Sequence, residues 1–253
     1  MSAQTHDPVR WFTEHYEQAA GRILEFLGGD GISLEGKRVA DVGCGDGIID
    51  LGLALKGRPQ QLIGYDLMEV DTLALLRGAR AAGVADELPA SLAFERSGPV
   101  SIPAADGRFD FVISWSVFEH VDDPVALLGE IRRVIQPDGC FFLQLWPFFN
   151  SEHGGHLWPH YDGPYPHHLR SDEQILDDVR GRQATDPRRS AEDEYRSLNR
   201  ITLDDLQRAL LVNRFAVVKF GLMANAVHVP RELRHRPLSE LGIGGVELLA
   251  KPV

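Results

Sequence analysis

Short apolar runs alternate, over the first 147 positions, with segments whose apolar residues recur every third or fourth place. The runs lie near 38–43, 61–66, 91–95, 109–115 and 139–146 and read as strands. The segments between them, near 47–56, 69–82 and 122–135, read as helices. Alternation of this kind predicts a parallel sheet covered by helices on both faces. Pro124 suits the first turn of its helix, with Asp122 or Asp123 as the cap. Ahead of the first strand, Trp11, Phe12, His15, Tyr16, Ala19, Ile23, Phe26 and Leu27 fall at helical spacing. They predict an amphipathic helix over 8–27, ended by Gly28-Gly29-Asp30-Gly31.

The pattern breaks after the fifth strand. Residues 147–200 hold five prolines and many charges without a clean period, which predicts an inserted subdomain. Helical spacing returns over 202–211, where Thr202 and Asp205 make a capping box. Two more strands, near 214–222 and 244–251, bring the sheet to seven. The expected fold is α/β, doubly wound, with a seven-stranded, mostly parallel sheet. Four parts are expected: an N-terminal helical lid over 1–35, a ligand-binding core over 36–147, an inserted acceptor-binding lid over 148–200, and a C-terminal helix and antiparallel strand pair over 201–253.

The first strand runs into Val39-Ala40-Asp41-Val42-Gly43-Cys44-Gly45-Asp46-Gly47, a turn with glycines on alternate positions, and a helix follows at once. Such a turn lets backbone approach a ligand and aims free N–H groups at it. The spacing is not the G-x-G-x-x-G of dinucleotide sites, and no Lys-Ser/Thr follows, as a P-loop requires. Asp46 would repel a pyrophosphate, so a ligand carrying a cation fits better. The second strand ends on Asp66, a carboxylate placed to accept both hydroxyls of a ribose.

These motifs, with Phe109-Asp110-Phe111-Val112-Ile113-Ser114, Val117-Phe118-Glu119-His120-Val121 and the 127–140 stretch, resemble class I S-adenosylmethionine-dependent methyltransferases. The resemblance covers roughly residues 36–147. It implies a Rossmann-like methyltransferase fold with S-adenosyl-L-methionine as cofactor. It implies that Asp41, Gly43, Cys44, Gly45 and Gly47 line the methionine and ribose part. Asp66 would hold the ribose hydroxyls, with Leu67 and Met68 beside the adenine. Many relatives carry an Asp after the third strand; here Glu95 or Ser97 stands in that stretch. Ser114 and Trp115 are expected to border the cofactor, and the N-terminal helix to lid it.

Composition narrows the partners. Net charge is −11, which argues against nucleic acid or an anionic membrane as the acceptor. No apolar run reaches membrane-spanning length, and residues 1–7 have no signal-peptide pattern. Only Cys44 and Cys140 are present, so a reducing cytoplasm is expected. A homodimer is compatible with all of this.

Five of the ten histidines lie between 151 and 168, just past the fifth strand and therefore at the carboxyl edge of the sheet, where ligands bind. Methyl transfer to a hydroxyl needs a base, for which His153 and His156 are the candidates, with Glu119 and His120 second. Trp146, Trp158, His160, Tyr161, Tyr165 and His167 are the expected acceptor wall. His153, His156 and Asp162 could also hold a divalent cation such as Mg²⁺. The basic patch Arg231, Arg234, His235 and Arg236 reads as an anion clamp or a solvated loop.

The leading expectation is an O-methyltransferase acting on a sugar, oligosaccharide or polyhydroxy metabolite. The 146–158 segment resembles methyltransferases of polysaccharide and cell-envelope clusters, including those of methylated mannose polysaccharides. The alternatives are an aromatic or polyketide-like acceptor, a non-catalytic cofactor-binding regulator, and a nicotinamide oxidoreductase that the glycine spacing and Asp46 oppose.

Overall fold

Seven strands form one sheet in the computed structural model, which describes residues 8–184, 186 and 188–253. They are β1 (Arg38–Val42), β2 (Gln61–Asp66), β3 (Leu92–Arg96), β4 (Phe109–Trp115), β5 (Ile135–Leu145), β6 (Phe215–Met223) and β7 (Gly245–Pro252). Their order is β3-β2-β1-β4-β5-β7-β6. The first five pair in parallel, and β7 runs antiparallel between β5 and β6. The doubly wound, mostly parallel α/β fold expected from the pattern is therefore present.

The central strands read as unbroken apolar runs because both faces are covered. Phe111, Ile113 and Phe142 face one helical layer; Val112, Phe141 and Leu143 face the other. Ahead of β1 stand α1 (Pro8–Thr13), a π-helical stretch (Glu14–Ala19) and α2 (Ala20–Gly28). The pattern predicted one regular helix here. The wider turn frees the Tyr16 carbonyl, which accepts from Lys56 Nζ at 3.0 Å. The same turn lies against Gly52 of α3 (Ile48–Gly57), where an added Cβ would come within 2.6 Å of Ala20.

Next come α4 (Thr72–Ala81), capped by Asp71, and α5 (Pro124–Val134), capped by Asp123 rather than Asp122. β5 begins at Ile135, earlier than the expected 139, because Ile135 already pairs with Phe109. A register shift then absorbs the extra residues before Cys140 meets Phe111.

The aperiodic stretch holds α6 (Pro166–Leu169), α7 (Asp172–Val179) and α8 (Ala191–Arg196). Phe149, Leu157, Ile175, Val179, Ala191, Tyr195 and Leu198 pack there as a separate apolar cluster. Short polar-rich helices around a small core carry no long period, which is why the sequence reads there as irregular. After it come α9 (Leu203–Val212), with the expected Thr202–Asp205 capping box, and α10 (Leu238–Leu241) before β7. No helix among the described residues is long and apolar enough to cross a membrane.

Candidate active site

The glycine turn takes the shape its sequence demands. Gly43, Gly45 and Gly47 have φ of +84°, +64° and +78°, which L-residues rarely adopt. Each is also crowded: a Cβ on Gly43 would strike Val117, and one on Gly47 would lie 2.6 Å from the Phe94 ring. Asp66 is tied to the turn, accepting from Gly45 N–H at 2.9 Å and from Met68 N–H at 3.0 Å. Trp11 Nε1 donates to Asp46 at 2.8 Å, which joins the N-terminal helix to the same turn. From the insert, Arg188 lies over Gly45 while paired with Asp186 at 2.7 Å.

Asp41, at the end of β1, is buried, and so is Asp50 on the following helix. Burial pushes both carboxyls up from the ordinary range, helped at Asp41 by the charge of Asp66 and at Asp50 by that of Asp41. Neither Asp50 oxygen has a hydrogen-bond partner.

Other residues expected around the cofactor divide. Ser97 sits beside Asp66, its N–H donating to the Asp66 carbonyl at 2.9 Å, whereas Glu95 is exposed on the edge strand. Leu67 and Met68 are about half exposed past Asp66. The Cys44 thiol turns back into the sheet, where a Cβ on Gly64 would lie 2.9 Å from its sulfur. Ser114 spends its hydroxyl on the Val42 carbonyl at 2.8 Å. The Trp115 ring stacks on Phe142 at 6.4 Å, within the core. The side chains of Cys44 and Trp115 therefore pack into the sheet, and that of Ser114 bonds the backbone where β1 enters the turn.

A second constellation forms where the insert meets the end of β4. A 3-10 turn, Phe118–His120, carries Glu119 and His120. Gly154 and Gly155 let the insert fold tightly on itself ahead of His156, since a Cβ on Gly154 would strike the Phe149 carbonyl and one on Gly155 would lie 2.8 Å from His167. His156 follows with φ +55°, a left-handed conformation unusual for a side chain of its size. Its ring stands edge-on to His120, 5.0 Å between centroids. His156 Nδ1 faces Glu194 Oε1 at 3.5 Å, and His120 Nδ1 lies 2.8 Å from Ser197 Oγ. Glu119 is 3% exposed and neither carboxylate oxygen has a partner. Burial, then the Glu194 charge, raises its pKa to about 8; burial, then His156, lowers that of His120 to about 3. Asn199 ties the two segments, donating to the Phe118 and Val121 carbonyls at 2.6 and 2.8 Å.

His153 does not join this cluster. Its Nε2 lies 3.6 Å from Glu152, and its ring lies edge-on to Trp146 and Trp158. Asp162 is exposed, so the expected cation set of His153, His156 and Asp162 is not assembled. Among the described residues, the group whose ligand atoms converge is Glu119, His120 and His156.

The expected acceptor wall is only partly there. Trp146, Trp158 and His153 form an aromatic patch next to His156, with Trp158 5.5 Å from both Trp146 and His156. Tyr165 is fully buried and donates to the Leu241 carbonyl, and His167 is buried with Nε2 2.6 Å from the Phe149 carbonyl. Tyr161 donates to Asp178 on the insert's own surface. Those three are framework of the insert. His160 is half buried, and burial lowers its pKa. In the basic patch, Arg236 pairs with Glu240 and approaches His168, so it braces the insert.

A family profile described as a methyltransferase domain matches residues 12–181. The chain belongs to this methyltransferase-domain family. The domain is S-adenosylmethionine-dependent, and S-adenosyl-L-methionine is its cofactor. The crowded glycines and the carboxylate of Asp66 fit that group, since they leave bare backbone and a ribose acceptor on one edge. The methyltransferase domain is 34% identical over 121 residues to the ubiquinone biosynthesis O-methyltransferase of Bordetella pertussis, covering 47% of this chain and 44% of that protein. The Bordetella avium protein of the same name is 29% identical over 152 residues, covering 56% and 59%. The chain thus spans about half the length of the curated relatives it matches. The fold is similar to that of the Bacillus subtilis YcgJ protein, with a TM-score of 0.57 at 16% identity over 94% of this chain and 99% of that one. It is also similar to the [4+2]-cyclase SpnF, with a TM-score of 0.58 at 18% identity over 93% and 82%.

Trp11, Phe94, Val117, Arg188, Glu194, Ser197 and Asn199 were not among the sequence candidates. Phe94 and Val117 are ordinary strand and turn residues by pattern. Glu194, Ser197 and Asn199 lie in the aperiodic insert, where no period assigns a face.

Proposed function

We propose that the chain transfers the methyl group of S-adenosylmethionine to a hydroxyl of a small, ring-bearing acceptor held against Glu119, His120 and His156. The observation that carries this reading is the buried cluster itself, above all His156, whose Nε2 has no partner while Nδ1 faces Glu194. When bound, the cofactor supplies an electrophilic methyl on a sulfonium. The chain's own task is to orient the acceptor and draw off the hydroxyl proton, because a protonated hydroxyl is a poor nucleophile. A carboxylate acceptor would need no such groups. The relatives' name, an O-methyltransferase, supports transfer to oxygen. The Trp146–Trp158 patch supports a ring that can stack. That is the C–H face of a sugar, oligosaccharide or other cyclic polyhydroxy metabolite, or the flat face of an aromatic or polyketide-like compound.

Deuterated S-adenosylmethionine, offered with panels of saccharides and of phenols, tests the reading by mass gain on the acceptor. One panel is expected to take the label. His156→Ala and Glu119→Gln should each lower turnover by about 100-fold or more while cofactor affinity is kept. Full turnover in both variants, or cofactor binding with transfer to neither panel, would overturn it.

A further inference from the structure

We infer that Glu119, His120 and His156 form a binding site for one first-row transition-metal dication. Each side chain brings a ligand atom within 4.8 Å of the other two. They arrive from separate parts of the chain, the turn after β4 and the insert, so helical spacing has not produced the cluster. Each imidazole has a polar group behind it: His120 Nδ1 hydrogen-bonds Ser197 Oγ at 2.8 Å, and His156 Nδ1 faces Glu194 Oε1 at 3.5 Å. Outer partners of this type fix a ring and leave Nε2 to meet a cation. The buried Nε2 of His156 and both oxygens of Glu119 have no hydrogen-bond partner. A buried carboxyl with nothing to accept from is unfavourable, and a bound cation removes that penalty.

Two imidazoles and one carboxylate are the donors of Mn, Fe, Co or Zn sites, whereas Mg²⁺ and Ca²⁺ take oxygen ligands. Three protein ligands also leave coordination positions open, where water or an acceptor oxygen can bind. The site differs from the sequence expectation in its ligands and in its metal. That an acceptor oxygen takes the open position rests on the function proposed above; with the ion bound, its charge would acidify that hydroxyl, since Nε2 of His156 would then be a ligand and not the base. The metal site itself does not rest on that function, and a titration that reads no turnover lets the two fail separately.

The test is a titration of untagged, metal-stripped full-length protein with Co²⁺, followed by visible absorption and calorimetry. One equivalent is expected to bind with d–d bands, to be displaced by Zn²⁺ and not by equal Mg²⁺. Glu119→Gln and His156→Ala should each weaken binding by about tenfold or more, and His153→Ala and Asp162→Asn should leave it unchanged. In the wild type, Zn²⁺ should shift the ¹⁵N signals of two histidine Nε2 atoms, which needs no variant to fold. Absence of stoichiometric binding, binding unaffected by both site substitutions, or unmoved histidine signals would overturn the inference.

Discussion

Each of the three turn glycines is fixed twice over, by backbone conformation and by a neighbour. Gly47→Ala would place a methyl at φ +78°, 2.6 Å from Phe94. A left-handed L-residue alone costs about 1–2 kcal/mol. Urea unfolding of Gly47→Ala should show at least that loss, with weakened S-adenosylhomocysteine binding. Asp50 offers a prediction of a different kind. With Asp41 it holds protons in the folded state above the ordinary carboxylate range. The folded state then binds more protons than the unfolded one, so this contribution to stability is complete in acid and declines as pH rises. The decline opens near pH 4, the ordinary carboxylate value, and runs toward the value of about 7 for Asp41. Across that window the stability of Asp50→Asn should rise relative to wild type, at a limiting slope of about 1.4 kcal/mol per pH unit. Equal pH profiles for the two proteins would contradict it. Asp41 and Asp66 could be picked out from sequence because a strand, a turn and an acid are neighbours in the chain. Glu194 could not, because only the folded insert brings it to His156.

At the level of elements, the insert is held to the turn after β4 by Asn199. Its side chain donates two hydrogen bonds, to Phe118 and Val121, and its N–H donates to the Glu119 carbonyl. Asn199→Ala leaves the first two carbonyls without that donor, at about 1–3 kcal/mol for a buried group. Hydrogen exchange over 117–121 and 153–157 should speed up together in Asn199→Ala, and the β1–β2 amides should not respond. The strands and the helices between them were legible because each carries its own period, and α4 and α5 also their own caps. The start of β5 was not, since a pairing to Phe109 across the sheet decides it. Nor was the split of His153 from His156, named together as base candidates: the chain turns between them through a glycine pair and a positive φ at His156.

At the scale of the molecule, all the chemistry collects on one edge of the sheet. The glycine turn after β1, Asp66 after β2 and the Glu119–His120 turn after β4 lie at carboxyl ends of parallel strands. Two outer segments reach that edge, the N-terminal helix through Trp11 and the insert through Arg188 and His156. The fold was readable because alternating strands and helices admit few topologies. The acceptor was not, because a stacking wall of two tryptophans serves several ring chemistries alike. The central claim is that this edge binds a sulfonium nucleoside through the glycine turn and Asp66. Isothermal calorimetry with S-adenosylhomocysteine and with NAD, on wild type and on Asp66→Ala, tests it most directly. The account predicts that S-adenosylhomocysteine binds the wild type, that affinity falls about tenfold or more in Asp66→Ala, and that NAD does not bind. Binding of NAD without S-adenosylhomocysteine, or unchanged affinity in Asp66→Ala, would contradict it.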